Sequence, residues 1–469
     1  MARRKDALPH EFPVFQELDT GYSIVIKGQP GTGKSTLALE MVAGLSNSFF
    51  ISSRINPKTI LQDSPWILSL LSKNRSSPFF IDATRSSDDK SEKHIQVLKY
   101  ETMPDFVQQL FSLGEELANK VIVIDSWNAL TINLTSSQIS HWESVIVQHL
   151  RAENSKIIFI MEGIQDTSLD WVVDGIAILS KRSITSPQGI ARRVRELSFP
   201  KMRGREIHNE TYLTTLHKGR LQTFFPFVHR FPAIMIKTTP IVDPDDLHIS
   251  SGSVAFDELF GGLLKGSWNL FEVTTAVGGG FELILFPLLT NQLVNRRPII
   301  SVLREGVTLD ARSPFLDVFT GTKAWIQKTV NFERFIPENA SHRAELPETI
   351  EELLSQFESA RENLSPTNGG PCLIDLGLDV LENKYGIPAL QTLIAILVSK
   401  ARLRGDIVVG FLQEKQQFRG GTAVATSQWK IDLIDRALVL EGIIPATEYY
   451  AIEPVLYKGY VDYTVTPIQ

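Results

Sequence analysis

The sequence predicts an α/β protein built from two tandem units, each a mainly parallel sheet flanked by helices, and three observations carry that expectation. A short apolar run, Tyr22 to Lys27, leads through a glycine-rich loop into apolar residues at helical spacing, Leu37, Ala38, Met41, Val42 and Leu45. Further apolar runs alternate with helical segments and stand beside acidic residues, as the strands of a doubly wound sheet do. The same layout then begins again after residue 249. Length agrees, because 469 residues exceed what one ordinary core accommodates.

The first element sets the chemistry. Gly28-Gln29-Pro30-Gly31-Thr32-Gly33-Lys34-Ser35 fits the pattern G-x-x-x-x-G-K-[ST] at every fixed position, and it has the strand before and the helix after that the motif requires. Glycines let backbone N–H groups turn inward around a phosphate, and the helix start adds positive potential. Gly28 to Thr36 are therefore the expected nucleotide cradle, with Lys34 on the β- and γ-phosphates and the Ser35 hydroxyl on Mg²⁺. About 90 residues later, Val121 to Asp125 reads as a strand buried on both faces and ending in a carboxylate. The tip of such a strand faces the nucleotide crevice, so Asp125 is expected to orient the water shell of the Mg²⁺. Lys156–Met161 and Gly175–Leu179 supply two more strands, beside Glu162 and Asp174.

Prolines 232, 240 and 244 punctuate a segment that reads as a connection, which divides the chain into a first domain over 1–230, a linker over 231–248 and a second domain over 249–469. In the second domain Gly266–Val273 takes the place of the loop strand, and 298–303, 372–375, 407–411 and 437–441 repeat the strand series, with Asp375 in the place of Asp125. The second loop has lost its chemistry: Gly279 stands where the lysine belongs, Gly280 where the hydroxyl belongs, and Pro287 interrupts the helix that follows. Without the main counter-charge to a triphosphate, this site is expected to be degenerate.

GYSIVIKGQPGTGKSTLALE followed by FFISSR resembles the KaiC-like branch of the RecA superfamily, and within it the archaeal gas-vesicle regulators of the GvpD type. SSGSVAFDELFGGLLKGSWNLFE is similar to the lead-in of the same family, and RELSFPKMRG is similar to its strand carrying Lys-x-Arg-Gly. The resemblance implies two tandem RecA-like P-loop domains, ATP with Mg²⁺ as ligand, and a role in trans for Lys201 and Arg203, which would reach the γ-phosphate held by a neighbouring copy in a ring or filament. Relatives that hydrolyse ATP usually carry a glutamate pair after the second strand. This chain has Ser52-Ser53-Arg54 there and no carboxylate until Asp63. Either Glu162 orients the attacking water instead, or hydrolysis is slow and the protein is an ATP-dependent switch.

Composition narrows the partners. A formal charge of −6 argues against a general nucleic-acid-binding surface, although eight basic residues lie between Lys181 and Arg205. Because that stretch coincides with the Lys201/Arg203 strand, a subunit interface is favoured over nucleic acid. Cys372 is the sole cysteine, which excludes an intrachain disulfide and a cysteine-rich zinc site. No uninterrupted apolar stretch approaches bilayer length, so a cytoplasmic protein without a membrane partner is expected. The expected function is an ATP-binding regulator acting through self-association and a protein partner such as a transcription factor. The alternatives are a RecA/RadA-type recombination or repair ATPase and a scaffold that keeps ATP as a structural ligand.

Overall fold

The computed structural model describes residues 21–71, 78–84, 94–113, 115, 119–185, 191–228, 239–320, 323–334, 342–364, 370–419, 424–457 and 460–468. The chain divides into two compact units, Met1–Phe225 with Ile468–Gln469, and Pro226–Pro467. Of the segment read as a linker, 231–238 lie outside the described residues. The remainder is anchored to the second unit: Asn291 Oδ1 accepts from the Ile241 backbone N–H, and Arg297 holds Asp243 through two nitrogens.

The first unit is built on ten strands, β1 (Ser23–Gly28), β2 (Ser48–Ser52), β3 (Phe80–Asp82), β4 (Ile95–Val97), β5 (Val121–Asp125), β6 (Lys156–Glu162), β7 (Gly175–Thr185), β8 (Ala191–Met202), β9 (Thr211–Thr215) and β10 (Gln222–Phe224). Their order across the sheet is β10-β9-β8-β7-β1-β6-β5-β2-β3-β4. From β7 to β4 every neighbouring pair is parallel, and β8, β9 and β10 continue the sheet antiparallel.

Period-2 alternation explains the layers. Ile24 and Ile26 of β1 enter one core with Leu37, Ala38 and Met41 of the helix α1 (Lys34–Val42), whereas Val25 enters the opposite core with Ile122, Ile124 and Phe159. Both faces are dry, which is why the strand reads as continuously apolar. Each such aliphatic side chain contributes about 1.5–3 kcal/mol by its burial.

The second unit opens with the small pair β11 (His248–Ile249) and β12 (Leu263–Leu264). Its main sheet comprises β13 (Trp268–Val273), β14 (Ile299–Val302), β15 (Thr329–Glu333), β16 (Arg343–Glu345), β17 (Leu373–Leu376), β18 (Ile407–Gln413), β19 (Ser427–Ile434), β20 (Ala437–Ile444), β21 (Tyr449–Tyr457) and β22 (Tyr460–Pro467). Read from its far edge, the order is β22-β21-β20-β19-β13-β18-β17-β14-β15-β16. Strand for strand this is the order of the first sheet, with β13 in the position of β1, and the parallel and antiparallel pairs fall in the same places. The protein is therefore two tandem RecA-like α/β units.

One reading of the second unit needs correction here. Pro287 does not interrupt its helix, which runs unbroken over Glu282–Val294. The ring costs the Leu283 carbonyl its partner, but residues 283–293 of the helix are all buried and hydrophobic packing holds it in place. Burial also accounts for Thr275–Val294, which is long and apolar enough by composition to cross a membrane although Glu282, Asn291 and Gln292 interrupt it: 78% of its 18-residue window is buried.

Candidate functional site

The end of β1 and the start of α1 enclose the first loop as a cradle. Gly28 packs so closely that a Cβ there would lie 2.4 Å from the Leu179 carbonyl oxygen and 2.7 Å from Thr32 Oγ1. Gly33 has φ of 105°, and a Cβ would press on Leu216 at 3.0 Å. Thr32 Oγ1 and Lys34 Nζ both donate to the Gln29 carbonyl, at 2.9 Å each, which draws the loop around the lysine. No side chain caps α1 and its first turn carries no acid, so its leading N–H groups are left to a ligand.

Pro30, Gly31, Gly33, Lys34, Ser35 and Thr36 line a cavity of about 300 Å³, closed by Ser52, Arg54, Ile55, Asp125, Glu162 and Leu216. Strand order produces this convergence. β6 lies between β1 and β5, so the tips of β1, β6, β5 and β2 bring Lys34, Glu162, Asp125 and Arg54 to one crevice. Glu162 bridges two cations: Oε2 accepts from Lys34 Nζ at 2.9 Å and Oε1 from Arg54 Nη1 at 3.0 Å. The Ser35 hydroxyl hydrogen-bonds Asp125, and burial raises the Asp125 carboxyl above the usual carboxylate range against the opposing pull of Ser35 and Lys34. These residues fit a nucleotide with Mg²⁺. Lys34 and the loop amides would hold its phosphates, Ser35 and Asp125 its metal, and the metal would neutralise phosphate charge.

Further cations surround the loop. β7 and β8 pair Lys181 with Arg195, and Arg195 Nη1 donates to the Gly31 carbonyl at 2.8 Å. Burial first, and then Arg195, Arg193 and Lys34, lower Lys181 from its ordinary value. A cluster of mutually repelling cations is relieved by a polyanion. Sequence reading placed Lys181 and Arg195 in a basic stretch and gave Arg54 no role; the signal was the period of the hairpin, which sets residues 181 and 195 opposite each other, where both reach Gly31.

Lys201 and Arg203 lie elsewhere. Lys201 pairs with Ile176, level with Val25, so it stands three residues of strand, about 10 Å, back from Gly28 and two strands aside. Its Nζ donates to the Asp170 carbonyl at 2.7 Å, and Arg203 Nη1 reaches Asp174 Oδ1 at 2.9 Å. Neither meets the crevice of its own chain.

The second loop has been rebuilt. Thr275–Phe281 consists of short 3-10 turns broken by a kink at Gly278, where φ is 54° and ψ −124°, and it leads into the helix Glu282–Val294. The Thr275 N–H donates to Glu414 Oε2 at 2.9 Å and Thr274 Oγ1 to Asp432 Oδ1 at 2.9 Å, so two carboxylates are bound at the start of the segment. Asp375 sits on β17, the counterpart of β5, but one residue short of the strand end. It is buried and held by Arg312 Nη2 at 2.9 Å and Ser301 Oγ at 3.3 Å, and so serves as a structural anion rather than a metal-side acid. Gly279 and Gly280, read as the lost lysine and hydroxyl, lie within the turn.

Residues 12–198 match the family described as GvpD gas vesicle protein, P-loop domain. That span contains Lys34, Asp125, Glu162 and Arg195 and ends before Lys201 and Arg203. Among curated proteins the chain is similar to Protein GvpD1 of Halobacterium salinarum, 22% identical over 291 residues, covering 58% of this chain and 48% of the relative. It is also similar to Protein GvpD2 of the same organism, 21% identical over 291 residues, 58% of this chain and 53% of the relative. The chain spans about half the length of these curated relatives.

Proposed function

We propose that this chain, whose N-terminal unit is a GvpD-like P-loop domain, is an ATP-dependent regulatory protein with one working site. It binds a single ATP with Mg²⁺ at the first loop and turns it over slowly or not at all. It passes the nucleotide state on through self-association, with Lys201 and Arg203 acting on a neighbouring copy, and through a protein partner such as a transcription factor. The supporting observation is the contrast between the two loops: Lys34, Ser35, Asp125, Glu162 and Arg54 converge on one cavity, while the second loop has Gly279 and Gly280 in place of the lysine and the hydroxyl and a kinked 3-10 segment in place of the cradle. The choice of adenine rests on the resemblance, because a phosphate cradle does not read the base.

The DNA-acting alternative finds less support. Within the basic stretch Arg195 contacts the loop, Arg182 pairs with Glu196, and Lys201 and Arg203 are tied to Asp170 and Asp174, so much of the charge is engaged inside the chain. Titration calorimetry with a non-hydrolysable ATP analogue and Mg²⁺ tests the main reading. One site per chain is expected in the wild type and none in Lys34→Ala; a stoichiometry near one in that variant would mean that the wrong half has been chosen.

A further inference from the structure

The hairpin of β7 and β8 continues past the sheet beside the first loop. Ile178 pairs with Lys27 near the end of β1, so Lys181 stands three residues of strand, about 10 Å, beyond that pair, level with the loop rather than with the sheet. Period 2 fixes the face that each residue takes. Ala177 and Leu179 of β7, with Leu197 and Phe199 of β8, enter the same core as Ile24, Ile26 and the apolar side of α1. Lys181, Arg195 and Arg193 carry that face outward, Lys181 opposite Arg195 and Ser183 opposite Arg193. Arg182 and Glu196 take the other face and pair with each other. Glu196 is the single acid between Gly175 and Pro200, so the hairpin brings three cations and no carboxylate to the side of the loop.

Two of these cations meet Gly31. Arg195 Nη1 donates to its carbonyl at 2.8 Å, and a Cβ at Gly31, where φ is 71°, would have Lys181 Nζ at 3.5 Å. Glycine leaves the loop backbone bare to that ammonium. Gly31 lines the nucleotide cavity and Lys181 is exposed, so the lysine is free to turn over the loop toward a phosphate seated there. Lys34 meets the β- and γ-phosphates in this motif, and its charge, with those of Arg195 and Arg193, acts on Lys181. An anion held by Lys34 therefore lies within the field of the hairpin. Asp125 and Glu162 stand on β5 and β6, across β1 from β7, so the acids of the site and these cations flank the loop from opposite sides.

We propose that Lys181, backed by Arg195, binds the terminal phosphate of a nucleoside triphosphate in cis, so that the first site selects a triphosphate over a diphosphate without help from a second copy. The assignment rests on the nucleotide reading above. Lysine suits the task as a compact charge on a flexible stem, whereas Arg195 is fixed on the Gly31 carbonyl and braces the loop. A diphosphate ends at Lys34 and leaves the Lys181 ammonium in water.

Titration calorimetry of the full chain in Mg²⁺, with a non-hydrolysable ATP analogue and separately with ADP, tests the assignment. The wild type should hold the analogue about tenfold more tightly than ADP. Lys181→Met should erase that preference by weakening the analogue alone, and Lys181→Arg, which keeps the charge, should retain it. Equal affinity of the wild type for the two nucleotides, a Lys181→Met variant that keeps the preference, or one that weakens ADP as much as the analogue overturns the proposal. A wild type that binds neither nucleotide defeats the nucleotide reading and this assignment together, whereas nucleotide binding that ignores Lys181 defeats this assignment alone.

Discussion

Replacing Glu162 with glutamine separates two things that its carboxylate does. Without nucleotide it engages Lys34 at 2.9 Å and Arg54 at 3.0 Å, and ATP has to take Lys34 away from it. Glu162 is 28% exposed and Arg54 52%, so solvent screens the pairs and the competing contact is worth about 1 kcal/mol. Glutamine keeps the size and an acceptor oxygen but removes the charge, and Lys34 retains the Gln29 carbonyl. At 1.4 kcal/mol per factor of ten, the variant should bind an ATP analogue about fivefold more tightly. Turnover should move the other way. If Glu162 orients the attacking water, its loss should slow hydrolysis by about 10²-fold. Calorimetry with the analogue and a phosphate-release assay read the two effects separately. A variant that binds ATP no better and hydrolyses it as fast as the wild type refutes the reasoning, since Glu162 then neither competes for Lys34 nor serves the water.

Three other outcomes follow from the geometry. If Lys201 and Arg203 act in trans, ATP with Mg²⁺ should raise the mass of the wild type in light scattering but not that of the Lys201→Ala/Arg203→Ala double variant; a wild-type mass that ignores ATP removes that role. Burial raises Asp125, so the native state favours its protonated form, and its contribution to stability is present in acid and lost as pH climbs through the raised value. Mg²⁺ favours the carboxylate, so Mg²⁺ binding should weaken on acidification, seen by calorimetry at a series of pH values, and Asp125→Asn should remove that contribution. In the second unit Arg312→Met strands the buried Asp375 and should cost about 3–5 kcal/mol, measured by denaturant unfolding, with first-loop nucleotide affinity unchanged.

Much of this was legible in the chain. The loop motif, the apolar strands and their recurrence predicted two α/β units, because strands buried on both faces and a phosphate cradle have strict local signatures. Convergence across the sheet was harder to read. Nothing local says that β6 inserts between β1 and β5, yet that insertion carries Glu162 to Lys34. Arg54 looked like a missing glutamate and is instead the partner of Glu162. Pro287 looked like a helix breaker because a local rule was applied where tertiary burial prevails. Asp375 matched Asp125 by order along the chain but fell one residue short of the strand end, a difference that only pairing reveals.

The kinked segment Thr275–Phe281 holds the second loop in a shape of its own. Restoring lysine at Gly279 and serine at Gly280 would place those side chains on a tight coil whose Thr275 amide already has an internal anion in Glu414. Such a segment is free of the geometric demands of a phosphate cradle, whereas the first loop, its counterpart in the sheet order, keeps every fixed residue of the motif.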